Sequence, residues 1–255
     1  MECPSCFQTE TTFYGSKNAH DLYECQHCTL IYVHPMPAPD ALAAFYHDYH
    51  KTPQYTRKLK SKQRRATKRI WSLKRLSKGK RFIDIGCNAG FAVEAARSLG
   101  LDALGIDLDS SSIEFAQRQY PLAQFQTISA EALAAQGEGF DIIYCCEVIE
   151  HLANPQTFLD ALYTLLNDGG VLFLTTPDIG HFSVKQNLLD WTAIRPPEHL
   201  LYFAKPSLKQ LLETHQFSKV NFRPNFKPTL KVLAQKRAAN ATRPQQGQGS
   251  DKAAI

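Results

Sequence analysis

The chain reads as an α/β protein on a doubly wound parallel sheet, preceded by a small cysteine-bearing unit. Three observations carry this reading. From residue 81 onward, short apolar runs alternate with helical patterns, the rhythm of repeated βαβ units. The first run, "RFIDIGCNAGFAVEAA" at 81–96, ends in an acid and passes through a glycine-bearing turn into a helix. Upstream, Cys3, Cys6, Cys25 and Cys28 form the pattern C-x2-C, eighteen residues, C-x2-C.

Size and composition suit that architecture. The 255 residues, 44% of them apolar, can bury one sizeable core and a small appendage. No run of about 18 apolar residues is present, so no membrane span is expected. The opening "MECPSCFQTE" has neither the basic nor the apolar region of a signal peptide. A cytoplasmic, reducing compartment is therefore expected. There the paired cysteine spacing favours a zinc ribbon over its alternatives, disulfides or redox C-x-x-C motifs. Four thiolates complete a tetrahedral shell with no open position, so Cys3, Cys6, Cys25 and Cys28 predict a structural zinc. So short a segment has little core of its own, and the metal would supply its stability. Cys87, Cys145 and Cys146 read as small buried residues.

Between the two units lies an uneven charge. Residues 57–81 hold thirteen Lys or Arg and no acid, which leaves sixteen basic against twenty-four acidic residues elsewhere. Leu59, Ala66, Ile70 and Leu73 recur at helical intervals, predicting an amphipathic helix with a strongly basic face. Two readings stand: a solvated face, or an anion-binding surface for RNA, a nucleotide-linked substrate or an acidic partner. The units predicted are a ribbon and connector over 1–50, the basic helix over 51–80, the sheet domain over 81–235 and a polar, disordered tail over 236–255.

Within the sheet domain the elements follow in order. "RFIDI" is a buried strand, and "AGFAVEAARSLG" a helix stopped by Gly100. "DALGID" is the second strand, and "SSSIEFAQRQ" a helix with Ser110 or Ser111 as N-cap. "AQFQTI" and "FDIIYCC" are the third and fourth strands. "PQTFLDALYTLLN" is amphipathic with Pro155 at its start, and Gly169-Gly170 lead into the strand "VLFLTT". "PSLKQLLETH" is the last helix, followed by the strands "VNFRP" and "LKVLAQ". In such sheets ligands bind outside the carboxyl ends of the strands, near the switch point.

The first turn narrows the ligand. A dinucleotide fingerprint needs glycine at 86, 88 and 91, and the chain has Gly86, Asn88 and Phe91. It keeps Gly86 and Gly90, adds Asp84, and uses Asn88, the residue best able to replace glycine at positive φ. An acid beside the turn suits a cation in place of pyrophosphate. Asp107, twenty-three residues after Asp84, is placed to accept from two ribose hydroxyls. S-adenosylmethionine has that combination: ribose and adenine, no phosphate, a sulfonium and an ammonium. Taken singly, the glycines also suit a plain tight turn and Asp107 a helix-entry acid.

These stretches, with "EVIEHLANPQTFLDALYTLLNDGGVLFLTTPD" and "PEHLLYFAKPSLKQLLETHQF", resemble class I S-adenosylmethionine-dependent methyltransferases. The chain is most similar to the bacterial group with an N-terminal zinc-binding segment, which "LYECQHCTLIYVHPMPAPDALAAFYHDYH" also resembles. The resemblance covers roughly residues 1–235. It implies a Rossmann-like, seven-stranded methyltransferase sheet whose last strand is antiparallel. It places Asp84, Gly86, Asn88 and Gly90 around the methionine part, Asp107 on the ribose, Leu108 against the adenine and Glu131 beside its amino group. Cys146 and Glu147 would border the sulfonium. Glu147, Glu150 and His151 also resemble the E-x-x-E-H arrangement of ubiquinone-biosynthesis O-methyltransferases, where such residues hold a divalent ion.

The cofactor carries the hard chemistry, so the protein must align the acceptor and, for a hydroxyl, remove its proton. Glu150, His151 and His199 are the candidate catalytic groups; each histidine could equally be scaffold. Three function classes follow: methylation of a small molecule on oxygen or carbon, for instance a sugar or a phosphorylated intermediate; an RNA methyltransferase using the ribbon and basic helix; and a non-catalytic cofactor-binding adaptor. The first is favoured. The fourth strand ends in "CCEV", which lacks the tetrad that base N-methylation would bring, and no recognisable RNA-binding module accompanies the basic run.

Overall fold

The structure is a computed structural model that describes residues 1–38, 40–42, 59–184 and 188–236. The connector and start of the basic segment at 43–58 lie outside the described residues, as does the tail expected over 236–255 except Lys236, which ends a strand. Seven strands form the main sheet in the order β10-β11-β8-β7-β4-β5-β6. Their ranges are β4 Arg81–Ile85, β5 Asp102–Asp107, β6 Gln124–Thr127, β7 Phe140–Cys146, β8 Leu166–Pro177, β10 Phe217–Phe222 and β11 Thr229–Lys236. Strands β4 to β8 run parallel, and β11 enters antiparallel to β8, as expected of the last strand.

Alternation along the central strands explains the two-sided packing. Ile83, Ile143, Cys145, Leu172 and Leu174 point into one core, while Phe82, Ile142, Tyr144, Val171 and Phe173 point into the other. Strands buried on both faces need this near-continuous apolar sequence. The first core is covered by α5 (Pro155–Leu165) and α6 (Lys205–Thr214). The second is covered by α1 (Leu59–Lys74), α2 (Phe91–Ser98) and α3 (Ser110–Gln119). The basic helix is thus a layer of this core: Ala66, Ile70 and Leu73 are buried, and Arg64, Lys68, Trp71 and Arg75 face solvent.

Two local expectations shift. The N-cap of α3 is Asp109, not Ser110 or Ser111, because its carboxylate accepts from both Ser111 N and Ser112 N. Helix α2 starts at Phe91 rather than Ala89, since Asn88 and Gly90 occupy the left-handed region.

The N-terminal unit is more deeply joined than its sequence suggests. Strands β1 (Thr11–Lys17), β2 (His20–Cys25) and β3 (Ile31–Val33) form a sheet completed by β9 (Leu201–Tyr202) from the main domain. Leu22, Leu30, Ile31 and Val33 belong to the same core cluster as Ile83 and Leu159. The segment therefore borrows a core instead of lacking one.

Candidate active site

The turn after β4 forms one side of the site. Gly86, Asn88 and Gly90 have φ of 71°, 45° and 75°, a run that only glycine and asparagine adopt readily. A Cβ on Gly86 would stand 2.6 Å from Val148, and one on Gly90 would stand 2.7 Å from the Phe125 ring. Asn88 holds its conformation with its own side chain, whose Oδ1 accepts from Ala89 N at 2.7 Å. Gly86 N and Cys87 N both donate to Ile106 O at 2.9 Å, fastening the turn to β5.

Two acids flank this turn. Asp84 is buried, and its carboxyl accepts no hydrogen bond among the described residues. Burial, then the nearby Asp107, holds it well above the usual carboxylate range. A cation that enters beside such an acid favours its ionised form and offsets the cost of burying that charge. Asp107 is oriented by two backbone amides: Asn88 N donates at 2.8 Å and Asp109 N at 3.0 Å, one to each oxygen. Leu108, beside it, is 74% exposed. Ile128 N donates to Asp107 O at 3.2 Å, which brings α4 (Ala130–Ala134), with the exposed Glu131 in its first turn, to the same rim. At the end of β7, burial pushes the Cys146 thiol up to about 12, so it stays neutral. Glu147 follows at φ 56°, its carboxyl accepting from the Thr175 hydroxyl at 2.8 Å.

The other side is a cluster around a short turn of 3-10 helix, Ile149–His151. Glu150 is 0% exposed; one oxygen accepts from the Thr176 hydroxyl at 2.9 Å, and Oε1 has no partner among the described residues. Burial, then Glu147, raises its pKa well above the ordinary value. His151 Nδ1 donates to Glu198 O at 2.7 Å, which fixes the tautomer with Nε2 as the acceptor atom. The His199 ring stands edge-on to it, 4.8 Å between centroids. His199 Nδ1 donates to Ala193 O at 2.9 Å, while its Nε2 accepts from the Arg195 guanidinium at 3.1 and 3.3 Å. Burial, then His151 and Arg195, drives His199 down to about 3, so the ring is neutral.

Ligand atoms of Glu150, His151 and His199 lie within 4.8 Å of one another. Glu147, expected in this set, stands outside it and faces Thr175. Both nitrogens of His199 are engaged, and Arg195 would stand against any cation held there. His199 is thus a poor ligand, while Glu150 Oε1 and His151 Nε2 remain as donor atoms that the divalent-ion expectation named. The four cysteines do fit a metal ion. Cys3 and Cys28 sulfurs are 3.6 Å apart and Cys6 and Cys25 sulfurs 3.5 Å, close to the roughly 3.8 Å of thiolates around a tetrahedral zinc and far from a disulfide. Two matching turns present them: Phe7 N donates to Cys3 O and Thr29 N to Cys25 O, with Phe7 and Thr29 both at φ 61°. The Cys28 thiol lowers Cys3 to about 5.

Sequence reasoning missed what holds the histidine cluster. The tip of the β1–β2 hairpin grips the loop that bears it: Lys17 Nζ donates to Leu189 O and, at 3.3 Å, to Trp191 O, and Asn18 Nδ2 donates to Pro196 O at 2.9 Å. Val33 N donates to Leu200 O, and Leu200 N to Glu150 O at 2.7 Å. Gln156 on α5 donates to Pro4 O and Ser5 O, tying the cysteine turn to the helix just beyond His151. Sequence reasoning also passed over the one local signal at the hairpin, Asn18 as a turn residue. Arg195, Glu198, Thr175 and Thr176 carry no local signal.

Comparison with known proteins gives a consistent picture. A family model described as a methyltransferase domain matches residues 55–221. The ubiquinone biosynthesis O-methyltransferase of Albidiferax ferrireducens is 39% identical over 104 residues, 38% of this chain and 41% of that protein. That of Burkholderia thailandensis is 32% identical over 154 residues, 53% of this chain and 66% of that protein. The matched stretches thus span between two fifths and two thirds of those curated relatives. Among solved structures, a SAM dependent methyltransferase from Archaeoglobus fulgidus superposes with TM-score 0.58 at 16% identity, over 75% of this chain and all of that one. Magnesium protoporphyrin IX methyltransferase from Synechocystis PCC 6803, solved with bound SAH, gives 0.54 at 16% identity, covering 69% and 83%. At such identity these structures speak for the fold.

Proposed function

The chain belongs to the methyltransferase-domain family, and from that premise we propose that it transfers the methyl group of S-adenosylmethionine to an oxygen of a small-molecule acceptor. One observation carries the cofactor: Asp84, a buried acid without a hydrogen-bond partner among the described residues, sits beside a backbone turn built for close approach. The cationic methionine end fits there, Asp107 takes the ribose hydroxyls, Leu108 shelves the adenine and Glu131 meets its amino group. Cys146 and Glu147 border the sulfonium. When bound, the cofactor supplies an electrophilic methyl group.

What remains for the chain is orientation and proton removal. His151, with its tautomer fixed by Glu198 O, accepts the proton of the acceptor hydroxyl at Nε2. Glu150, whose pKa burial and Glu147 raise, offers the oxygen that has no partner among the described residues to orient that acceptor. His199 is too weak a base, and it positions His151 instead. The relatives named for ubiquinone biosynthesis support a small hydroxyl-bearing acceptor. We assign a structural zinc to Cys3, Cys6, Cys25 and Cys28, within a unit proposed over 1–50; the basic segment proposed over 51–80, whose described helix is Leu59–Lys74, leads into a catalytic unit over 81–235. The exposed stripe Arg64, Lys68, Trp71 and Arg75 supports a second reading, RNA as acceptor. Steeply salt-dependent tRNA binding that blocks methyl transfer would put it first.

Calorimetry tests the cofactor. S-adenosylmethionine should bind and NAD should not, and Asp107→Ala should weaken binding by about 1–3 kcal/mol through lost charge-assisted hydrogen bonds. NAD binding with no response to S-adenosylmethionine would refute the reading. Isotopically labelled cofactor, screened against metabolite extracts, then identifies the acceptor.

A further inference from the structure

Beyond β8, the sheet edge carries chemistry that neither the glycine turn nor the histidine cluster uses. A pocket of about 160 Å³ lies between the end of β8 and the loop joining β10 to β11, with Asp178, His181, Lys205, Arg223, Asn225 and Lys231 in its lining. Its frame is well tied. Asp178 N donates to Pro228 O at 3.1 Å and Arg223 N to Lys231 O at 2.8 Å. Asn225 Nδ2 donates to Thr229 O at 3.1 Å, and Lys231 Nζ donates to Asn225 Oδ1 at 2.8 Å.

Charge in this pocket is out of balance. None of Lys205, Arg223 and Lys231 forms an ion pair with a described residue. The one acid, Asp178, is buried, accepts from Gly180 N at 2.9 Å, and is raised by that burial toward its neutral form. Burial, then Arg69 and Lys227, lowers Lys231, a cation held against like charges. An entering anion relieves both effects. The volume falls below that of pockets for whole drug-sized ligands, roughly 300–1,000 Å³, and leaves room for one acidic group. Position gives the group an owner. Lys231 pairs across the sheet with Thr175, whose hydroxyl holds Glu147 at the rim of the active site. Lys231 therefore lies two strands out from β7, which carries Cys146 and Glu147 to the site, in register with Cys146 through Thr175.

We propose that this pocket binds an oxyanionic group, carboxylate or phosphate, of the methyl acceptor, with the Arg223 fork and the Lys231 ammonium as its partners. The proposal rests on the methyltransferase reading, and its test separates the two. Inorganic phosphate is titrated into the full chain by calorimetry, and S-adenosylmethionine affinity is measured on the same samples. Phosphate should saturate the wild type in the millimolar range, and an Arg223→Gln/Lys231→Met double variant should bind it about tenfold more weakly. Its S-adenosylmethionine affinity should be unchanged, which also shows that it is folded. Arg223→Gln alone, at an exposed position, should give part of the loss. Equal phosphate affinity in the variants, or none in the wild type, overturns the pocket. Failure of the wild type to bind S-adenosylmethionine overturns the methyltransferase reading instead and leaves the phosphate result standing. Vesicles containing phosphatidylglycerol distinguish the source of the anion. Co-sedimentation that the double variant loses marks a lipid headgroup; phosphate binding without co-sedimentation marks a soluble acceptor.

Discussion

The glycine turn and the histidine cluster sit at the same edge of one sheet, yet they are assembled in opposite ways. The turn is local: Asp84, Gly86, Asn88, Gly90 and Asp107 lie within one βαβ unit, and backbone hydrogen bonds from Gly86 and Cys87 to Ile106 close it. The cluster is remote: Glu150 and His151 follow β7, His199 comes some fifty residues later, and the hairpin at residues 17–18 holds the loop between. A contiguous unit keeps its geometry as long as the sheet is folded. A cluster drawn from three segments depends on each of them, so the N-terminal unit should govern catalysis while leaving cofactor binding alone.

The largest effect expected from that contrast is on the cysteines. Cys25→Ser should lose the metal, loosen the hairpin and cut methyl transfer about 100-fold, while S-adenosylmethionine affinity stays within about threefold. Elemental analysis, calorimetry and a transfer assay on one preparation check all three. If affinity falls in step with activity, the two sides form one cooperative unit and the contrast fails. Full retention of metal would refute the site itself.

Next in size is a change confined to the turn. Gly90→Ala puts a Cβ against Phe125 at a φ of 75°, so it should cost about 1–3 kcal/mol in stability and weaken cofactor binding. The acceptor KM should hardly move. A rise in that KM comparable to the loss of affinity would show that strain in the turn reaches the histidine cluster.

This asymmetry also explains what could be read without a structure. The turn, its acids and the sheet order come from spacing and alternation, which are local properties of the chain. Asp109 as the cap of α3 was available too, but three serines beside it offered competing caps. Nothing near Asn18 or Lys17 indicates that they meet carbonyls more than 170 residues away. His199 illustrates the same limit. Its presence was legible, but its weakness as a base comes from Arg195 and burial, which only the folded loop supplies.

That weakness yields a pH prediction. The folded pKa of His199, about 3, lies below the ordinary value of 6.5, so the unfolded chain binds the extra proton first. The contribution is complete above pH 6.5 and is lost as pH falls toward 3, at about 1.4 kcal/mol per unit. His199→Gln should therefore flatten the acid limb of the stability curve between these values, as followed by urea melts. An unchanged limb would mean that the ring is not held neutral.

The smallest effect isolates the grip itself. Asn18→Ala removes one hydrogen bond, from Nδ2 to Pro196 O at 2.9 Å, and leaves the Lys17 contacts and the cysteines in place. A single neutral hydrogen bond is worth about 1 kcal/mol, so global stability should change little. Asn18 also holds a left-handed turn residue at φ 49°, which alanine tolerates less well, so Asn18→Gly serves as the control that relieves the backbone while still removing the amide. Both variants should raise the acceptor KM about fivefold and leave S-adenosylmethionine affinity unchanged, because the loop carrying Arg195, Glu198 and His199 loses one of its supports. A KM effect seen in the alanine variant alone would assign it to turn strain. A fall in kcat without a change in KM would place Asn18 upstream of His151 orientation and not of acceptor binding.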